Sequence, residues 1–166
     1  MQNRMVASQM SGATLDMRFT SVLKDYPAHQ HERWEREVFA YQNLAFATPG
    51  LLCHNERWLE MERLTPILDL GPGKSRKYAE PLRALLQRVH DAGWWHGDAA
   101  LVNVVIHPVR GPLLIDWENM RPAQGSISYD LYGARSAGVT PFWEVPGGDG
   151  VFWGGPWSTC PGRYWK

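Results

Sequence analysis

Trp95-His96-Gly97-Asp98-Ala99-Ala100-Leu101-Val102-Asn103, followed by Leu114-Ile115-Asp116-Trp117-Glu118, is the stretch from which the rest of the chain is read. Between the two pieces Val102, Val104 and Ile106 alternate, His107 to Pro112 have turn composition, and Leu113 to Trp117 run back as a second strand. Such a hairpin sets Asp98 just before its first strand, Asn103 where that strand begins and Asp116 where the second strand ends. Two carboxylates and an amide then converge on one mouth. Singly, each has a plain structural use as a turn cap, an Asx-turn or a strand end. The set, with an apolar helix before it and a hairpin inside it, points to a site.

The spacing His96-x-Asp98-x-x-x-x-Asn103, with Asp116 beyond it in a D-x-E pattern, resembles the catalytic and metal-binding loops of the protein-kinase-like phosphotransferases. That superfamily includes aminoglycoside and lipopolysaccharide-sugar kinases as well as protein kinases. The resemblance spans roughly residues 12 to 133 and is most specific from Leu86 to Asp116. It implies an α+β, two-lobed kinase-like fold of reduced size. Residues 1–63 would form a nucleotide-covering sheet and helix, and residues 64–166 a mainly helical lobe with a Trp/Gly/Pro-rich tail. It also implies ATP and Mg2+. Phosphoryl transfer needs a carboxylate to take the acceptor hydroxyl's proton and oxygen ligands to hold magnesium on the triphosphate. By resemblance Asp98 is the base, Asn103 and Asp116 hold metal and nucleotide, and His96 braces the loop backbone.

The resemblance carries further residues with it. Val22-Leu23-Lys24 is similar to the family's lysine strand, with Lys24 on the α- and β-phosphates, and Gly12 stands where a phosphate-covering turn is expected. An ordinary hairpin turn explains Gly12 equally well. Glu37 is the expected partner of Lys24, with Glu35 as the alternative and Glu32 on the surface. Trp58 to Leu64 resembles the hinge that reads adenine through its backbone, with Met61 as gatekeeper, the Glu62 carbonyl and the Leu64 N–H. Ser128 to Gly133 resembles the anchor helix, where Asp130 would accept hydrogen bonds from the catalytic loop. Asp130 comes only 14 positions after Asp116, which leaves little room for a phosphorylation-controlled segment.

Periodicity alone supports these placements. Leu15, Met17 and Phe19 alternate as a strand, and residues 29–46 read as a helix with Trp34, Val38, Tyr41 and Ala45 on one face. Residues 51–53 and 58–61 form a strand pair across the turn 54–57. Leu70 to Lys74 is a loop, after which Ser75 caps a helix running to Ala92 and closed by Gly93. Its buried stripe is Leu82, Leu85, Leu86, Val89 and Ala92, and His90 packs beside the catalytic loop.

A chain of 166 residues can bury one sizeable core, or two small lobes packed as a unit. Seventeen basic and 17 acidic side chains cancel, so no field for nucleic acid or membrane is implied. Cys53 and Cys160 stand isolated, without metal spacing, which fits a reducing cytoplasm. No span approaches ~18 apolar residues.

Four of the nine tryptophans fall in the last 24 residues. From Arg121 onward Asp130, Glu144 and Asp149 face Arg121, Arg135, Arg163 and Lys166, a balance that disfavours a polycationic aminoglycoside. A hydroxyl on a protein (Ser/Thr) or a sugar is the expected acceptor, with Trp143, Trp153 or Trp157 at its site. Two alternatives stay open: a kinase-shaped module that binds nucleotide or a partner without turnover, and nucleotidyl transfer.

Overall fold

The computed structural model describes residues 5–8 and 12–123. Asp130 and its expected helix, Cys160 and the tail tryptophans lie outside the described residues. The chain opens with β1 (Met5–Ser8), β2 (Thr14–Met17) and β3 (Ser21–Asp25), crosses through α1 (His31–Asn43), and returns as β4 (Leu51–His54) and β5 (Trp58–Glu62). These five strands form one antiparallel sheet in the order β1-β2-β3-β5-β4. Then follow β6 (Thr65–Pro66), α2 (Pro72–Ser75), α3 (Ala79–Asp91), β7 (Trp94–Trp95), β8 (Val104–His107), β9 (Gly111–Leu114) and β10 (Arg121–Pro122). A β6-β8-β9 ribbon and a β7-β10 pair complete a small α+β domain with two long helices. Among the described residues no helix is long and apolar enough to cross a membrane.

The first strands differ from their sequence pattern. β2 stops at Met17, and Phe19 sits 88% exposed in the turn to β3. Asp16 is the buried residue of β2, with an Arg18 partner 3.4 Å away, whereas Leu15 and Met17 line a cleft. The alternation is real, but the apolar face it marks looks onto an open cleft rather than a closed core.

The expected 29–46 helix is shorter. Pro27 leads into a 3-10 turn at Ala28–Gln30, and α1 runs only from His31 to Asn43. The Asn43 side-chain amide donates back to the Phe39 carbonyl, the Thr48 hydroxyl to the Leu44 carbonyl, and Ala45 is exposed. Glu37, Val38, Ala40 and Tyr41 form the buried face.

The Leu70–Lys74 stretch is largely helical, not loop. A 3-10 turn covers Ile67–Leu70 and α2 covers Pro72–Ser75. Ser75 therefore ends α2 instead of capping the next helix, which starts at Ala79 after a 3-10 turn at Arg76–Tyr78. Pro81 explains the break: without an N–H it is tolerated only in a helix's first turn, so the helix has to begin just before it. Leu82, Leu85, Leu86 and Val89 of α3 are buried as expected, while Ala92 is exposed beside Gly93 at φ 87°. Ala79–Asp91 lies against β7 and β9, and its stripe belongs to the same core cluster as Ile67, Leu101, Val104, Leu114 and Trp117. Each buried aliphatic side chain contributes about 1.5–3 kcal/mol.

The hairpin is shifted from its predicted place. Val102 is 43% exposed, and Leu101–Asn103 form a 3-10 turn before β8. Val104, Val105 and Ile106 are all buried, so β8 is covered on both faces rather than alternating. β9 ends at Leu114. Trp117 belongs to a 3-10 turn, Trp117–Asn119, because Asp116 takes a left-handed conformation (φ 66°, ψ 57°) that breaks the strand.

Candidate active site

β3 carries Lys24 inward with its side chain almost fully buried, and α1 delivers Glu37, also fully buried, to it. Lys24 Nζ lies 2.8 Å from Glu37 Oε2, 2.5 Å from Asp116 Oδ1 and 3.8 Å from Glu118 Oε2. Glu35 is exposed against His31, and Glu32 pairs with Arg36 on the same helix. Burial, the largest single influence on the ammonium, works to lower its pKa. The Glu37 and Asp116 carboxylates together outweigh it, so the Lys24 pKa is raised and the side chain stays charged.

Two residues that the sequence pattern did not single out complete this cluster. Tyr26, just past the end of β3 and two positions after Lys24, donates its hydroxyl to Glu37 Oε2 and places its ring 4.9 Å from the Lys24 ammonium. Burial and then the Glu37 charge raise its pKa, which keeps the phenol a neutral donor. Both donors use one oxygen of Glu37, and Glu37 Oε1 has no hydrogen-bond partner among the described residues. Glu118 is the second. Burial first, then repulsion from Asp116, raises its pKa, against the opposing pull of Lys24 and Arg33. The D-x-E spacing was its signal in the sequence.

A cleft of about 550 Å³, including its open side, runs between the sheet and the β8–β9 hairpin. Lys24, Glu37 and Asp116 stand in its wall, and so do Met61, Glu62 and Leu64 from the end of β5. Leu15, Met17, Val22, Val105 and Ile115 make the wall predominantly apolar, as a site for a flat heterocycle requires. Tyr41 backs Met61, its hydroxyl 2.7 Å from the thioether sulfur. Glu62 is fixed by the Gly50 N–H at 3.2 Å and by Arg110 at 3.6 Å.

Asp98, Asn103 and His96 form a second group. The Asn103 amide donates to the Asp98 carbonyl at 2.9 Å and to Asp98 Oδ2 at 3.2 Å. The Asp98 N–H donates to His96 Nδ1 at 3.3 Å, which leaves Nε2 as the protonated nitrogen facing the Ile115 carbonyl 3.0 Å away. The fully buried imidazole thus ties the Asp98 loop to the residue before Asp116. Gly97, at φ 82°, lets the loop approach Asn119 so closely that a Cβ would overlap the Asn119 carbonyl oxygen. Gly12 (φ 83°) lies near Gln30 and Pro27 and does not line the cleft. Asp130 is outside the described residues.

Asp116 and Asn103 suit a magnesium ion. Asp116 Oδ1 is engaged by Lys24 and the Asn103 nitrogen by Asp98, so a carboxylate and an amide oxygen remain as hard donors. Among the described residues no group of three or more His, Cys, Asp or Glu side chains could hold a metal alone. An ion that keeps water and phosphate oxygens as its other ligands fits such a sparse set.

No protein-family model and no curated protein matches this chain. Solved structures of WbdD do resemble it. A high-resolution WbdD crystal structure aligns at 20% identity with a TM-score of 0.56, covering 81% of this chain and 36% of that one. The structure described as the bifunctional kinase-methyltransferase WbdD aligns at 20% identity and 0.52, covering 75% and 33%. WbdD with the kinase inhibitor LY294002 aligns at 22% identity and 0.53, covering 78% and 34%. The chain spans about a third of the length of these structures. At such identity the likeness is one of architecture, and it shows that this chain has a kinase-like fold.

Proposed function

We propose that the chain is an ATP- and magnesium-dependent phosphotransferase that moves the γ-phosphoryl group to a hydroxyl of a protein or sugar. The observation that carries this reading is the meeting of Lys24, Glu37 and Asp116 in the wall of an apolar cleft, beside a loop that holds Asp98 and Asn103. The cleft wall at Met61, Glu62 and Leu64 would receive adenine. Lys24, oriented by Glu37, would lie against the α- and β-phosphates. Magnesium, held by Asp116 and Asn103, would offset the charge on the phosphate oxygens.

Asp98, its carboxylate held by the Asn103 amide, would take the proton of the acceptor hydroxyl as that oxygen bonds to the γ-phosphorus. The bond from the γ-phosphorus to the bridging oxygen breaks, and ADP leaves. Positioning and charge stabilisation do most of the work in such a transfer, which is the use of the His96 tie between the Asp98 loop and the residue before Asp116.

Incubation with γ-labelled and α-labelled ATP, with protein and lipopolysaccharide-type sugar acceptors, tests the reading. Label from the γ position in the acceptor supports it. Label from the α position replaces it with nucleotidyl transfer. Nucleotide binding without either transfer replaces it with a non-catalytic binding module.

A further inference from the structure

The contacts between α1 and the turn after Asp116 show a feature that the phosphotransfer reading does not use. Arg33, Arg36 and Glu37 are spaced i, i+3 and i+4, so they share one face of α1. Glu37 on that face pairs with Lys24, while both arginines reach Glu118 on the far side. Arg33 Nη1 donates to Glu118 Oε1 at 3.0 Å, and Arg36 Nη1 donates to the Glu118 backbone carbonyl at 3.0 Å. Arg36 is also held by Glu32 one turn earlier, at 3.3 Å. The N-terminal turn of α1 makes no side-chain cap, and its buried residues begin only at Glu37.

From this geometry we infer that Arg33 and Arg36 are positioning residues: a two-pronged latch that fixes the start of α1 to the Trp117–Asn119 turn and so sets Glu37, Lys24 and Asp116 in register. One prong holds a side chain and the other a main-chain oxygen, so the turn is restrained in both rotation and translation. Glu118 faces Lys24 with its other oxygen. Without Arg33, that carboxylate would be left to compete with Glu37 for Lys24. Without Arg36, the backbone that places the Asp116 carboxylate loses its tie to the helix. The pair also joins residues 82 and 85 positions apart. In this protein α1 is accordingly held in place by its own side chains, and the Lys24–Glu37 pair is assembled without any added charge.

The consequence for nucleotide rests on the phosphotransfer reading, but the latch does not, and two measurements on the full chain keep them apart. The first is amide hydrogen exchange without nucleotide. In Arg33→Gln/Arg36→Gln, exchange across α1 and residues 116–119 should rise about 10- to 100-fold, the scale of one full charge-assisted hydrogen bond, because both guanidinium groups are partly exposed and each contact counts for less. The β-sheet should be unchanged, and so should the control Glu35→Ala on the exposed helix face. Arg33→Lys/Arg36→Lys should recover most of the protection, because each contact uses a single donor.

The second measurement is KM for Mg-ATP against kcat. Where the phosphotransfer reading holds, KM should rise about tenfold in the Gln pair and recover in the Lys pair, with adenosine affinity unmoved, and an unmoved KM overturns the positioning role. Unchanged exchange in the Gln pair overturns the latch. Failure of the Lys pair to restore protection also overturns it, and so does faster exchange over the whole domain in the single variant Arg36→Gln. If the wild type neither binds nor turns over Mg-ATP, the phosphotransfer reading fails while the exchange result still decides the latch.

Discussion

The Lys24 cluster and the Asp98 loop meet at adjacent residues, Asp116 accepting from Lys24 and the Ile115 carbonyl from His96, yet they are held together by different physics. The first gathers residues 24, 37, 116 and 118 from three separate elements and packs one ammonium among three carboxylates with little water. Every member needs the others, since a buried charge without its partner carries the full desolvation penalty. The second is drawn mostly from residues 96–103 and rests on hydrogen bonds to backbone atoms. Its one carboxylate is half-buried, on a loop whose shape comes from Gly97, His96 and Asn103. Chemistry and stability should therefore come apart between the two regions.

Asp98→Asn gives the largest expected effect and the sharpest view of that separation. If Asp98 is the base, turnover falls by roughly two to four decades with nucleotide affinity nearly intact. The amide still accepts from Asn103, so the melting temperature should barely move. Steady-state kinetics beside a thermal melt checks both. A melt that fell in step with activity would break the contrast.

Glu37→Ala probes the other side. It breaks the fully buried Lys24–Glu37 pair, leaving Asp116 as the close partner of the ammonium, and removes the acceptor of the Tyr26 hydroxyl. A loss of about 3–5 kcal/mol is expected in urea unfolding, the usual scale for breaking a buried pair. A loss under 1 kcal/mol would mean that water enters the cluster and that it behaves as a surface pair.

Gly97→Ala lies between the two regions. The new Cβ meets the Asn119 carbonyl oxygen, and φ 82° is strained for any L side chain. About 1–3 kcal/mol of stability should be lost, and turnover should fall with it because the Asp98 loop is pushed off the Trp117–Asn119 turn. Retained activity with reduced stability would show that the loop shape is more tolerant than its hydrogen bonds suggest.

Glu60, on the far side of the sheet, calibrates how little a partly exposed charge group at the sheet surface matters. The Ser21 hydroxyl first, then Arg18, lowers its pKa below the ordinary 4.5. A lowered folded-state value means that its contribution is complete above about pH 4.5 and is lost as pH falls through the folded value. The stability difference between wild type and Glu60→Gln should be small, flat above pH 4.5, and should close below it. A difference that widened in acid would reverse the assigned sign.

Much of this was legible along the chain because it depends on local chemistry. The α3 stripe from Leu82 to Val89, the Gly93 stop, the strand pair around residues 51–62 and the spacing from His96 to Asp116 follow from periodicity and turn residues that act over a few positions. Boundaries were less legible where a distant contact or a single backbone state intervened. Pro81 delays α3, and left-handed Asp116 turns the end of an apparent strand into a 3-10 turn.

What only tertiary structure decided is which side chains share charge and which apolar face is covered. Leu15 and Met17 alternate as one apolar strand face, and they line a cleft, because an alternating strand says which residues share a face and not what lies opposite it. Glu32, Glu35 and Glu37 are equivalent as helix acids. The resemblance singled out Glu37, and the packing of α1 against β3 is what puts it on Lys24 and leaves the other two on the surface. Tyr26, Arg33 and Arg36 carry no motif to mark them, since their roles arise from partners 11 to 85 residues away, and the D-x-E spacing marks Glu118 without saying what it meets. A sequence determines local geometry through torsions and turn chemistry, while long-range charge pairing exists only once the chain has brought those groups out of water and into contact.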